Sequence, residues 1–133
     1  MTNRQLVSRF FDVFFADSQQ LQQLCSQDVT LHFRGSAIAR GLTELIEFGI
    51  GQHQCFPNLQ FDVQTILVDG NKAAARLIQR GTHQHEWDGI SACGQSFEVE
   101  EMMFFDIDNG RIQAIYPMLD LELKRQQLRK QPS

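Results

Sequence analysis

Three side chains in this 133-residue sequence stand where an acid or an imidazole could move a proton: Glu101, Asp120 and His83. Each falls on the apolar parity of a predicted strand. Phe97, Val99, Met103, Phe105 and Ile107 alternate with Ser96, Glu98, Glu100 and Asp106, and Glu101 belongs to the first set. Asp120 follows Ile112, Ala114, Tyr116 and Met118 at a spacing of two, and His83 follows Ala73, Ala75, Leu77, Gln79 and Gly81. A carboxyl group in apolar surroundings has a raised pKa suited to proton transfer near neutrality. An imidazole there could polarise a carbonyl or pass a proton. Each residue also has a purely structural reading. Asp120 precedes Leu-Glu-Leu-Lys-Arg-Gln-Gln and would N-cap a helix well. His83 could be a hydrogen-bonded core or rim residue, and a β-bulge beside Glu100 would turn Glu101 outward.

The elements that position these groups follow from periodicity and turn chemistry. Thr2-x-x-Gln5 forms a capping box, and Leu6, Phe10, Phe14 with Val7, Phe11, Phe15 give a helical stripe ending near Asp17. A short helix at Ser18–Cys25 and a strand at Val29–Arg34 follow, and Gly35 and Gly41 bracket a loop. The next helix is Leu42–Cys55, stopped by Pro57. Strands at Leu59–Val68 and Lys72–His85 join through Asp69-Gly70, and a loop with Gly89 and Gly94 leads to the last hairpin. That hairpin runs from Ser96 to Asp120 around Asp108-Asn109-Gly110, and a short helix follows it. Helices come early and the antiparallel meander late, so the class is α+β, helices on one face of a curved antiparallel sheet.

Composition narrows the function. Net charge is −4, which leaves no electrostatic footprint for nucleic acid. The cations Lys124, Arg125, Arg129 and Lys130 read as the solvated end of the last helix. Cys25, Cys55 and Cys93 are odd in number and widely spaced, as expected for reduced thiols of a cytoplasmic protein. No stretch is long and apolar enough for a signal peptide or a membrane span. His53, His83 and His85 form no metal-ligand pattern with a nearby acid, and no phosphate loop or nucleophile motif occurs, so neither metal nor cofactor is expected. Phe supplies 11 aromatic rings against one Trp and one Tyr, which suggests a large apolar interior.

Phe-Pro-Asn-Leu-Gln-Phe at Phe56 to Phe61, Arg-Gly-Thr-His at Arg80 to His83, and the ending from Gly110 to Leu128 resemble the SnoaL-like polyketide cyclases. These lie within the nuclear-transport-factor-2-like superfamily, and the resemblance covers nearly the whole chain as one domain, residues 1–133. It implies a cystatin-like cone of curved sheet and helices around an internal pocket. It also places Asp120 on the family's acid/base aspartate and Tyr116 where a Trp is usual. Ketosteroid isomerases, a sister group, carry aspartates where Met103 and about where Phe33 stand, and the family's polar residue before the Trp is Ile115 here.

The expected activity is therefore cofactor-independent proton abstraction beside a carbonyl of a small hydrophobic compound, followed by ring closure or isomerisation. Asp120 would be the base, with His83 and Tyr116 on the oxygen and Phe33, Met103, Met118 and Glu101 along the walls. Trp87 and His85 would flap over the opening, and His32 would face inward only if its strand were irregular. The rival is a non-catalytic pocket for a hydrophobic ligand or a partner module. Phe14, Phe48 and Leu77 are expected in the core rather than against ligand. Ile66, Val68, Ile78, Met102, Phe104 and Ile115 would make the other face apolar enough to pair two copies into a homodimer, with no membrane or nucleic-acid partner.

Overall fold

The computed structural model describes residues 1–130, and residues 131–133 of the expected domain lie outside the described residues. Helix α1 (Asn3–Val13) starts on the expected capping box: Thr2 accepts from the Gln5 amide, and the Gln5 side chain accepts from the Thr2 amide. A 3₁₀ turn at Ser18–Gln23 replaces the expected second α-helix. Strand β1 (Cys25–Phe33) and strand β2 (Ser36–Arg40) then pair, so the segment read as a loop between Gly35 and Gly41 is an edge strand. Its alternation is too short, and too rich in small residues, to stand out. Helix α2 (Leu42–Cys55) has the expected bounds.

Strands β3 (Gln60–Asp69), β4 (Lys72–Thr82), β5 (Ser96–Asp108) and β6 (Arg111–Leu119) form the meander, and helix α3 (Leu121–Arg129) follows. The sheet order is β2-β1-β6-β5-β4-β3. One pair departs from the antiparallel expectation: β1 lies parallel to β6, because the chain returns across α2 and the meander before reaching it.

Two bulges govern which side chains face inward. On β3, Gln64 has no partner across on β4, and beyond it Ile66 and Val68 pack on the core while Leu67 is 65% exposed. On β6, Ile112 pairs with Ile107 and Ala114 with Asp106, which leaves Gln113 without a partner on β5. A single extra residue exchanges the two faces of everything that follows. Ile115 is consequently fully buried, while Tyr116 and Met118 point outward. The outer sheet face thus carries Leu67, Ile78, Met102, Phe104, Tyr116 and Met118, and Ile66, Val68 and Ile115 leave the set expected there.

Candidate functional site

The inner sheet face and the helices enclose a cavity of about 190 Å³ whose walls include Phe10, Phe14, Phe61, Met103, Ile115 and Trp87. Three polar side chains break this lining near one another: Glu101, Gln79 and Lys124. Their positions follow from register. Pairing of β4 with β5 is unbroken from Lys72 opposite Asp106 to Thr82 opposite Ser96, so no bulge intervenes and Glu101 keeps the inward parity of Met103 and Phe105. Gln79 is opposite Val99 and Leu77 opposite Glu101, which makes Gln79 the same-face diagonal neighbour of Glu101. Lys124 comes from α3, on the inward stripe Leu121, Lys124, Leu128 at helical spacing.

The three groups form a relay of fixed orientation. Lys124 Nζ donates to Gln79 Oε1 at 3.0 Å, and Gln79 Nε2 donates to Glu101 Oε1 at 2.9 Å. The ammonium also lies 4.3 Å from the Phe97 ring centre, 4.5 Å from that of Trp87 and 4.6 Å from that of Phe56. Glu101 is 3% exposed and Lys124 2%. Burial pushes the Glu101 carboxyl up to about 7, against the opposing pull of the Gln79 hydrogen bond and the Lys124 charge. Burial likewise pulls Lys124 down to about 8, with Glu101 opposing.

Asp120 stands elsewhere. The β6 bulge turns it outward, its side chain is exposed, and Oδ1 accepts from the Leu123 amide at 3.0 Å as the N-cap of α3. That cap sets the helix whose next turn carries Lys124, since the Lys124 amide donates to the Asp120 carbonyl at 3.2 Å. Tyr116 and His32 stack on each other on the outer face, with ring centres 4.7 Å apart, and Tyr116 Oη donates to Asp106. Met118 is 58% exposed. His83 is fully buried and stacks on Phe56 at 5.2 Å, but does not line the cavity. Neither of its ring nitrogens has a partner among the described residues, and burial holds its pKa below the usual value.

Glu101, Met103, Phe33 and Trp87 do meet at the cavity. Trp87 reaches it through a tight turn with Asp88 and Gly89 at positive φ, and Asp88 pairs with Arg125 of α3. Phe14 and Phe48 pack on the core and also line the cavity, whereas Leu77 is core alone. Gln79 and Lys124 are the residues that alternation alone did not single out. Their signals were a polar residue on the inward parity of β4, and a lysine between two leucines on an amphipathic stripe. Among the described residues, no group of three His, Cys, Asp or Glu side chains could hold a metal ion. No helix there is long and apolar enough to cross a membrane.

No curated protein matches this chain. Among solved structures, a SnoaL-like protein of Jannaschia sp. CCS1 is 19% identical at a TM-score of 0.89, covering 98% of this chain and 93% of its own. IdmH of Streptomyces antibioticus is 22% identical at 0.84, covering 96% and 99%. A SnoaL-like polyketide cyclase of Agrobacterium tumefaciens strain C58 is 19% identical at 0.79, covering 96% and 98%. At such identities the likeness establishes the fold. The family profile reaches further, matching residues 5–128, so the chain belongs to the SnoaL-like polyketide cyclase family, which supports a cyclase- or isomerase-type enzyme.

Proposed function

We propose that the cavity binds a small hydrophobic carbonyl compound and that Glu101, not Asp120, transfers the proton. The observation that carries this reading is a carboxyl group 3% exposed on an apolar wall, with a pKa raised to about 7. Near neutral pH such a group is available both as base and as acid. The carboxylate removes a proton beside the substrate carbonyl. The resulting enolate is stabilised by the Lys124 ammonium, in a site too dry for water to screen it. The enolate carbon then attacks a second carbonyl of the same molecule, or is reprotonated elsewhere, and Glu101 returns the proton to the oxygen or carbon that needs it. Trp87 and the aromatic walls contribute shape and exclude water. A cavity of 190 Å³ suits a substrate of one or two rings, since about 150 Å³ accommodates benzene.

The test reads proton abstraction directly. Exchange of the α-hydrogens of 2-tetralone in deuterated water should be accelerated by the protein. The rate should rise with pH and level off above about 7, as Glu101 ionises. A flat pH profile would remove Glu101 from the reaction.

The outer face adds a second part to the reading. Leu67, Met102, Phe104 and Met118 are exposed together, with Met102 opposite Met118 and Phe104 opposite Tyr116. We infer a cytoplasmic homodimer of single-domain chains that covers this face, where a lone sheet would leave an apolar patch in water. Sedimentation should give a dimer at micromolar protein and a monomer for Phe104→Lys; a wild-type monomer would end this part of the reading.

A further inference from the structure

In the proton-transfer reading Lys124 only lends its charge to the enolate, yet its setting is unusual for a lysine that stays protonated. The chain has three lysines, and Lys72 and Lys130 are exposed, Lys72 being paired with Asp106. Lys124 alone is buried, and none of the ion pairs among the described residues involves it. One donor goes to Gln79, and the rest of the ammonium meets only the rings of Phe56, Trp87 and Phe97. A buried lysine with no direct ion-pair partner gives up its proton more readily than an exposed one, even with Glu101 opposing from beyond Gln79, and the free amine is a nucleophile.

We propose that Lys124 Nζ forms an imine with a small aromatic or alicyclic aldehyde or ketone bound in the cavity. This rests on the reading of the cavity as a site for carbonyl compounds. The neutral amine adds to the carbonyl carbon, the C–O π pair moves to oxygen, and that oxygen takes a proton from the Glu101 carboxyl. The Glu101 carboxylate then recovers a proton from nitrogen, giving a neutral carbinolamine. A second transfer from Glu101 to the hydroxyl expels water, and the nitrogen lone pair closes the C=N bond as an iminium beside the Glu101 carboxylate. The iminium draws electrons from the neighbouring carbon more strongly than a nearby ammonium does, so the same carboxylate can take the α-proton and leave an enamine. Burial that draws the amine down to about 8 leaves far more of it neutral near pH 7 than an exposed lysine has.

Benzaldehyde with cyanoborohydride tests this on the full chain near neutral pH. Benzaldehyde fits the cavity and has no α-hydrogen, so it reads the amine without reading enolate formation. Peptide mapping should place a benzyl adduct on Lys124, formed at least about tenfold faster than on Lys72 or Lys130. Lys124→Met, with its wild-type circular dichroism checked, should lose that adduct and keep the slow exposed ones. Adducts confined to Lys72, Lys130 and the N-terminus would overturn the proposal. So would 2-tetralone exchange at the wild-type rate in Lys124→Met, a result that would also remove the ammonium from enolate stabilisation while leaving Glu101 as the base.

Discussion

Glu101 and Asp120 are two acids of one hairpin, both on the apolar parity of their strands, and only one of them faces the cavity. The difference lies in the backbone between them. From Phe105 back to Glu101 the β5 strand is paired residue for residue with β4, so the inward parity of Phe105 carries to Glu101. From Ile112 forward to Asp120 the β6 strand contains Gln113, which pairs with nothing on β5, and the parity inverts. One unpaired residue therefore keeps the second carboxyl from joining the first at the cavity and makes it a helix cap instead. The two remain connected, because the helix that Asp120 caps delivers Lys124 to the network that holds Glu101.

Inserting one alanine after Ala114 should break the contrast most severely, because the bulge already holds its one extra residue and the strand beyond it must shift by one. Tyr116, Met118 and Asp120 would turn inward, and Ile115 and Leu119 would turn out to water. Each displaced apolar side chain costs about 1.5–3 kcal/mol, so the chain should lose its cooperative unfolding transition. A wild-type midpoint would mean that the bulge absorbs the added residue and does not fix the parity beyond it.

A smaller effect follows from pH. The Glu101 carboxyl has a folded pKa near 7, above its unfolded value, so the folded state holds the extra proton between those limits. The Glu101 contribution to stability should therefore be greatest below the unfolded pKa and fall as pH rises to about 7, by something on the order of 3 kcal/mol. Glu101→Gln should flatten that decline in denaturant titrations. The smallest effect is the cap itself: Asp120→Ala should lower stability by about 1 kcal/mol, and Asp120→Asn by much less, because Asn also accepts from the N3 amide. Equal losses in both variants would show that the charge, not the cap, is what matters there.

The order of elements apart from β2, the α2 bounds and the β3–β4 and β5–β6 turns were legible in the sequence, because capping boxes, Asp-Gly and Asn-Gly turns and period-two alternation are local signals. Membership of the cyclase family was legible from spaced motifs. The bulges at Gln64 and Gln113 were not, because an extra residue in a strand leaves no mark until its neighbour is known. The expected interior roles of Asp120, Tyr116 and Met118 assumed that Ile112's face continued along β6. Lys124 was read as part of a solvated basic end, although Leu121 and Leu128 mark it as an inward position of the same helix.

On the proposed reading the buried acid of the pair, and not the capping one, moves the proton. Deuterium exchange into 2-tetralone, followed by NMR for the wild type, Glu101→Gln and Asp120→Asn under one set of conditions, tests it most directly. Glu101→Gln should lose about 10²–10⁴-fold in exchange rate, and Asp120→Asn should exchange at the wild-type rate. Retained exchange in a folded Glu101→Gln variant, with loss in Asp120→Asn, would contradict it.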